Sequence, residues 1–226
     1  MKLSFAGFVV TVSLLLLGGC GGAGPSGTSH VRVVHLIEGQ GGIDAVTDTS
    51  ILATNLTFAN AANYADVSIG LQSIFIRPNG STTAIISAQD TFEGLHYYTE
   101  FAYLTAGGAG SPALARFDDD RTAPAAGNWR LRFVHMNRAN AGNFDLYVTA
   151  PAASLTSISP TISNIGFLSA SAYVELTAGA AQQLRVTAAG SKTVLATVNV
   201  TATAGSISTL AEYDGPGQAA VLFGTN

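Results

Sequence analysis

The chain has 226 residues, 47% hydrophobic and 11% charged, with a formal net charge of -4. It is too apolar for a disordered polymer, and a weakly acidic chain without a basic stripe is unsuited to nucleic acid. One cysteine, Cys20, excludes an intramolecular disulfide, so the fold must rest on its packed core.

Lys2 gives a short positive start, and Phe5 to Leu17 is almost entirely apolar. That run is too short for a membrane span, which needs about twenty apolar residues, and suits the core of a signal peptide. Leu17-Gly18-Gly19-Cys20 resembles the lipobox of bacterial lipoproteins. There the small residues let a peptidase cut just before an alkylated cysteine. The resemblance implies lipidation of Cys20, with the membrane as a partner through that anchor. Two or three acyl chains hold firmly where one does not, each buried methylene contributing roughly 0.8 kcal/mol. Residues 21–29 read as a flexible tether. Gly21 stands where an aspartate would signal inner-membrane retention, so the expected destination is the outer membrane, on either face.

The remainder is one unit written twice. Val31-Arg32-Val33-Val34-His35 recurs 100 residues later as Leu131-Arg132-Phe133-Val134-His135. Ile43-Asp44-Ala45-Val46 corresponds to Phe144-Asp145-Leu146-Tyr147, Asn55 to Phe58 to Asn164 to Phe167, and Tyr64 to Val67 to Tyr173 to Leu176. The growing offset places a longer loop in the second copy, within residues 149–163. A repeat of this length is a duplicated domain rather than a solenoid unit. Each copy shows short alternating runs between Gly, Pro, Asn and Ser, the pattern of an all-β fold. Ala172, Val174 and Leu176 are expected to face the core, with Tyr173, Glu175 and Thr177 outward. Residues 77–81 and 188–192 read as hairpin turns. Helical periodicity is absent beyond the signal peptide. The expected fold class is all-β, with two tandem immunoglobulin-like antiparallel β-sandwich domains after a cleaved lipoprotein signal peptide. Residues 1–19 are the signal peptide, 20–29 the lipidated cysteine and tether, 30–116 the first sandwich, 117–128 a linker and 129–226 the second sandwich.

The Val-Arg-Val-Val-His run, its polar loop and Ile-Asp-Ala-Val resemble the domain-of-unknown-function 4397 family. The second copy matches at Arg132, Val134, His135 and Asp145 to Val148, and residues 118–127 resemble a joint between tandem copies. The resemblance implies an exported, often lipid-anchored bacterial β-protein and no particular activity. Members usually carry Ser-Pro-Asp after the histidine, whereas here Leu36-Ile37-Glu38-Gly39 and Met136-Asn137-Arg138-Ala139 follow it.

His35 with Asp44, and His135 with Asp145, are the candidate chemical pairs. Each could be a base and its orienting carboxylate. The alternative is a histidine held structurally at the end of a sandwich, which presence in both copies favours. No Gly-x-Ser-x-Gly or Ser-x-x-Lys motif occurs, and the four histidines lack metal-ligand spacing, so no cofactor and no metal site are expected. Asp118-Asp119-Asp120 reads as a solvated acidic linker, with calcium as the alternative. Tyr64, Tyr97, Tyr98, Tyr103 and Trp129 are candidate platforms for a sugar. The expected function is a non-catalytic cell-envelope lipoprotein acting as a structural, adhesive or protein-binding module. A carbohydrate or cell-wall glycan binding module is the alternative, and an enzyme ranks last.

Overall fold

The computed structural model describes residues 27–225 apart from Gly108 and Pro216, and every regular element among them is a β-strand. The expected signal peptide and the residues read as a lipobox, Leu17, Gly18, Gly19 and Cys20, lie outside the described residues. No described helix is long and apolar enough to cross a membrane.

The first sandwich contains β1 (Thr28–Leu36), β2 (Ile43–Thr47), β3 (Ile51–Leu56), β4 (Ala65–Ser68), β5 (Gly70–Pro78), β6 (Ile86–Phe92), β7 (Tyr97–Leu104) and β8 (Pro112–Asp118). One sheet has the order β4-β1-β7-β8 and the other β3-β2-β5-β6. The second sandwich contains β9 (Asn128–Met136), β10 (Phe144–Thr149), β11 (Ile162–Ile165), β12 (Ser169–Ala170), β13 (Val174–Thr177), β14 (Ala181–Ala188), β15 (Val194–Thr201), β16 (Ile207–Gly215) and β17 (Gly217–Gly224). Its sheets run β12-β9-β16-β17, with β13 also on β9, and β11-β10-β14-β15. The two copies therefore share one topology. Pairing is antiparallel except that β1 runs parallel to β7, and β9 parallel to β16. Short turns cannot join parallel neighbours, and here the chain passes through the opposite sheet between them. Alternation within one strand carries no signal of such a pairing.

Burial explains why β1 and β9 read as nearly continuous apolar runs. Val31 and Val33 enter the core of the first sandwich, and Leu131 and Phe133 that of the second. The opposite faces of the same strands present Val34, Leu36, Val134 and Met136 to a third core with Phe101, Tyr103, Ala211 and Tyr213. The two sandwiches thus pack sheet against sheet. Each fully buried Val, Leu or Phe contributes roughly 1.5–3 kcal/mol. The contacts are reciprocal: Phe58 meets Tyr213 edge-on at 5.5 Å, and its counterpart Phe167 meets Tyr103 at 6.4 Å. Such exchange is the signature of a two-fold interface.

Val174 and Leu176 pack against the second core as expected. Ala172 instead is exposed and precedes β13, while the Tyr173 ring lies under the guanidiniums of Arg130 and Arg132, 5.0 Å from each. Alternation turns Tyr173 away from the second core, and cation–π attraction holds its ring against the two charges.

Candidate functional site

Asp44 and Asp145 end up as braces across three strands. Asp44 Oδ1 accepts the amide of Asn55 at 2.8 Å, and Oδ2 accepts that of Gly80 at 2.9 Å. Asp145 repeats this with Asn164 at 2.8 Å and Gly190 at 2.9 Å. The recipient residues need support. Asn55 and Asn164 have φ of 50° and 61°, and Gly80 and Gly190 have φ of 74° and 78°. Left-handed backbone is costly for any residue but glycine, with asparagine the most tolerant. Hydrogen bonds from Asn55, Asn79 and Gly80 hold the Asp44 carboxyl below its ordinary range. Asp145→Ala is expected to cost about 2–3 kcal/mol in urea unfolding, because a buried carboxylate releases two amides. Asp44→Ala, at a half-buried position, should cost about 1 kcal/mol.

The histidines brace the neighbouring loop. His35 is fully buried; its Nε2 lies 3.0 Å from the Gly41 carbonyl, and its Nδ1 accepts the Ile37 amide at 3.2 Å. His135 does the same with Gly142 at 2.9 Å and Asn137 at 3.2 Å. Both ring nitrogens in both copies are thereby committed to backbone groups, and neither histidine bonds the aspartate expected beside it. Burial lowers the pKa of His35. The second copy adds a feature invisible in local sequence. Glu212, the ladder partner of His135, brings a buried Oε2 to 3.4 Å from its Nδ1, while Oε1 accepts Asn137 Nδ2 at 2.7 Å. Burial pushes the Glu212 carboxyl up. In the first copy Ala102 takes that place opposite His35.

The acidic run is solvated at Asp118 and Asp120, which are exposed, but not at Asp119. The Asp119 side chain is fully buried at the joint, where it pairs with Arg132 and lies 3.7 Å from Arg32. Tyr64 donates its hydroxyl to Asp119 at 2.6 Å, and burial together with Asp119 raises the Tyr64 pKa. The two arginine side chains are themselves 97% buried and cross over reciprocally. Arg32 donates to the carbonyl of Gly224, and Arg132 to that of Asp118 at 2.7 Å. Two arginines so placed demand an acid, and the hydrophilic run supplies one. Asp120, half-exposed, bonds Arg130 at 2.7 Å and is held far below the ordinary carboxylate range by Arg130 and Thr122. No group of three potential ligands for a metal occurs among the described residues.

The candidate aromatic platform divides. Trp129, Tyr98 and Tyr103 are buried, so they do not present a face to solvent. Tyr97 is half-buried, stacked on His30 at 4.3 Å and covered by Arg121 at 4.3 Å. Tyr64 meets Tyr97 edge-on at 5.1 Å, with Arg32 4.6 Å from its ring centre. An open cleft of about 440 Å³ runs beside Tyr97 between His96 and residues 118–122.

The longer loop of the second copy covers the outer face of its sheet. Residues 150–161 replace the three residues between β2 and β3. Arg185 holds the carbonyl of Ala153 at 2.7 Å, Lys192 holds that of Ile158, and Leu155 and Tyr147 are buried. In the first copy the corresponding positions, Val46 and Phe75, are only half-buried.

A family model described as a domain of unknown function, DUF4397, matches residues 29–147, more than half of the chain. The chain belongs to the DUF4397 family. The match spans the first sandwich from the second residue of β1 and crosses the joint through β9 into β10, so it includes His35, His135, Asp44, Asp145 and Asp119. No curated protein matches this DUF4397 chain. Among solved structures, CBMbc, a family CBM26 module of Eubacterium rectale Amy13K in complex with maltoheptaose, aligns over 88% of this chain and 97% of its own. Its sequence identity is 8% and its TM-score 0.32, too low to bear on function.

Proposed function

We propose that this DUF4397 chain is a non-catalytic module of the bacterial cell envelope, anchored through Cys20 to the outer membrane and acting as a structural, adhesive or protein-binding lipoprotein. The observation that carries the reading is the commitment of His35, His135, Asp44 and Asp145 to backbone groups in both copies. Residues that spacing alone offers as base and carboxylate are spent on bracing loops. The lipobox supports the location. Labelled palmitate should enter the full chain and be lost with Cys20→Ala, together with its membrane fractionation; an unlabelled parent chain would overturn the anchor. Crosslinking in living cells is then expected to enrich one envelope protein over the unanchored variant, and no enrichment would count against a binding role.

A glycan partner is the second reading, favoured by the cleft beside Tyr97 with its carboxylates and Arg121. A sugar stacking on that ring would have to displace Arg121. A glycan that binds only the folded chain must raise its melting temperature with dose. No shift across peptidoglycan fragments and common polysaccharides would remove this reading.

A further inference from the structure

Four large apolar side chains are exposed among the described residues: Ile51 at 68%, Leu71 at 62%, Leu95 at 77% and Val194 at 38%. The three most exposed share one end of the first sandwich. The Leu95 amide bonds the carbonyl of Thr28, the first residue of β1, at 2.9 Å. Leu71 lies just beyond β4, whose Ser68 pairs with Thr28. Ile51 follows Ser50, whose hydroxyl bonds the carbonyl of Asp66, the partner of His30. Val194 belongs to the far end of the other sandwich, beside the Gly190 turn.

Leu95 is held at a φ of 65° at the tip of its turn. A bulky side chain is a true outlier there, where glycine or asparagine would fit without strain. Gly27 runs directly against it, so that a methyl on Gly27 would sit 3.8 Å from Leu95 Cγ. Only six residues lie between Cys20 and Gly27, and those seven steps reach at most about 25 Å.

We propose that this end of the first sandwich docks on the bilayer surface, with Ile51, Leu71 and Leu95 entering the interface. The inference rests on the lipid anchor at Cys20. Once the anchor is inserted, the short tether keeps these side chains at high effective concentration over the membrane, so a contact too weak to recruit the protein still orients it. The exposed carboxylates Asp48, Asp66 and Glu93 at the same end suit a zwitterionic surface rather than an anionic one.

The test uses the full lipidated chain carrying Leu95→Trp, in vesicles of brominated phosphatidylcholine. Native Trp129 is fully buried in the second sandwich and serves as an unquenched internal standard of folding. The indole introduced at position 95 is expected to shift to the blue and be quenched by bromine. Adding Ile51→Ser and Leu71→Ser should weaken the contact on the order of tenfold for each side chain withdrawn. An unquenched indole on protein that floats with the vesicles would overturn docking and leave the anchor standing. Failure to float would overturn the anchor, and docking with it.

Discussion

Replacing Asp119 by alanine is expected to cost about 3–5 kcal/mol, because it strands two buried guanidiniums that share one carboxylate. The loss should appear as a fall in the urea midpoint of the whole chain. Arg32 and Arg132 belong to different sandwiches, so the stranded charges destabilise both at the interface. Tyr64 and Thr99 would lose their acceptor as well. Asp120→Ala is the control, since its bond to Arg130 is largely exposed and such pairs are worth about 1 kcal/mol or less. Equal effects from the two substitutions would mean that Asp119 is hydrated and the joint is wet.

The second large effect is a dependence of stability on pH, centred on Glu100. This side chain is 1% exposed, and one of its oxygens has no hydrogen-bond partner. Arg116 stands opposite in the ladder but reaches past it to Asp90 and the Thr91 carbonyl. Burial, with Asp90 nearby, pushes the Glu100 carboxyl up from 4.5 to about 8. The folded chain therefore holds a proton that the unfolded chain releases. Stability from this group is full below pH 4.5, falls as pH rises through that window and levels off above about 8. Glu100→Gln should flatten the fall and add about 3 kcal/mol at the alkaline end. Unfolding curves recorded across the window decide it, and an unchanged slope in the variant would mean that the carboxylate is hydrated in the folded chain.

Much of the architecture was legible because it follows from short-range pattern. The duplicated Val-Arg-Val-Val-His and Ile-Asp-Ala-Val runs gave the repeat, and alternation with turn residues gave strands and the hairpins at Gly80 and Gly190. Recurrence of the histidines in both copies favoured a brace, and each ring bonds backbone groups on both nitrogens. What escaped depends on partners distant in sequence. Asp119 sits in a hydrophilic run, and its burial is set by Arg32 and Arg132 across a sheet-to-sheet interface. Glu212 reads as an ordinary strand residue until the parallel register places it against His135. The rings of Tyr64 and Tyr97 look like open platforms until Arg32, Arg121 and His30 are seen beside them. Composition registers none of these contacts, since each is a matter of which faces meet.

The reciprocal crossing of Arg32 and Arg132, with Phe58 and Phe167 exchanged in the same sense, has a consequence for ancestry and assembly. The chain has the form of a homodimer whose protomers have been joined end to end. A relative carrying a single copy would expose the face of Val34, Leu36, Phe101 and Tyr103, and would have to bury it against another molecule of itself. Fusion removes that dependence on concentration and frees the two halves to diverge. Divergence is already visible in Glu212 against Ala102, and in the loop that only the second half carries.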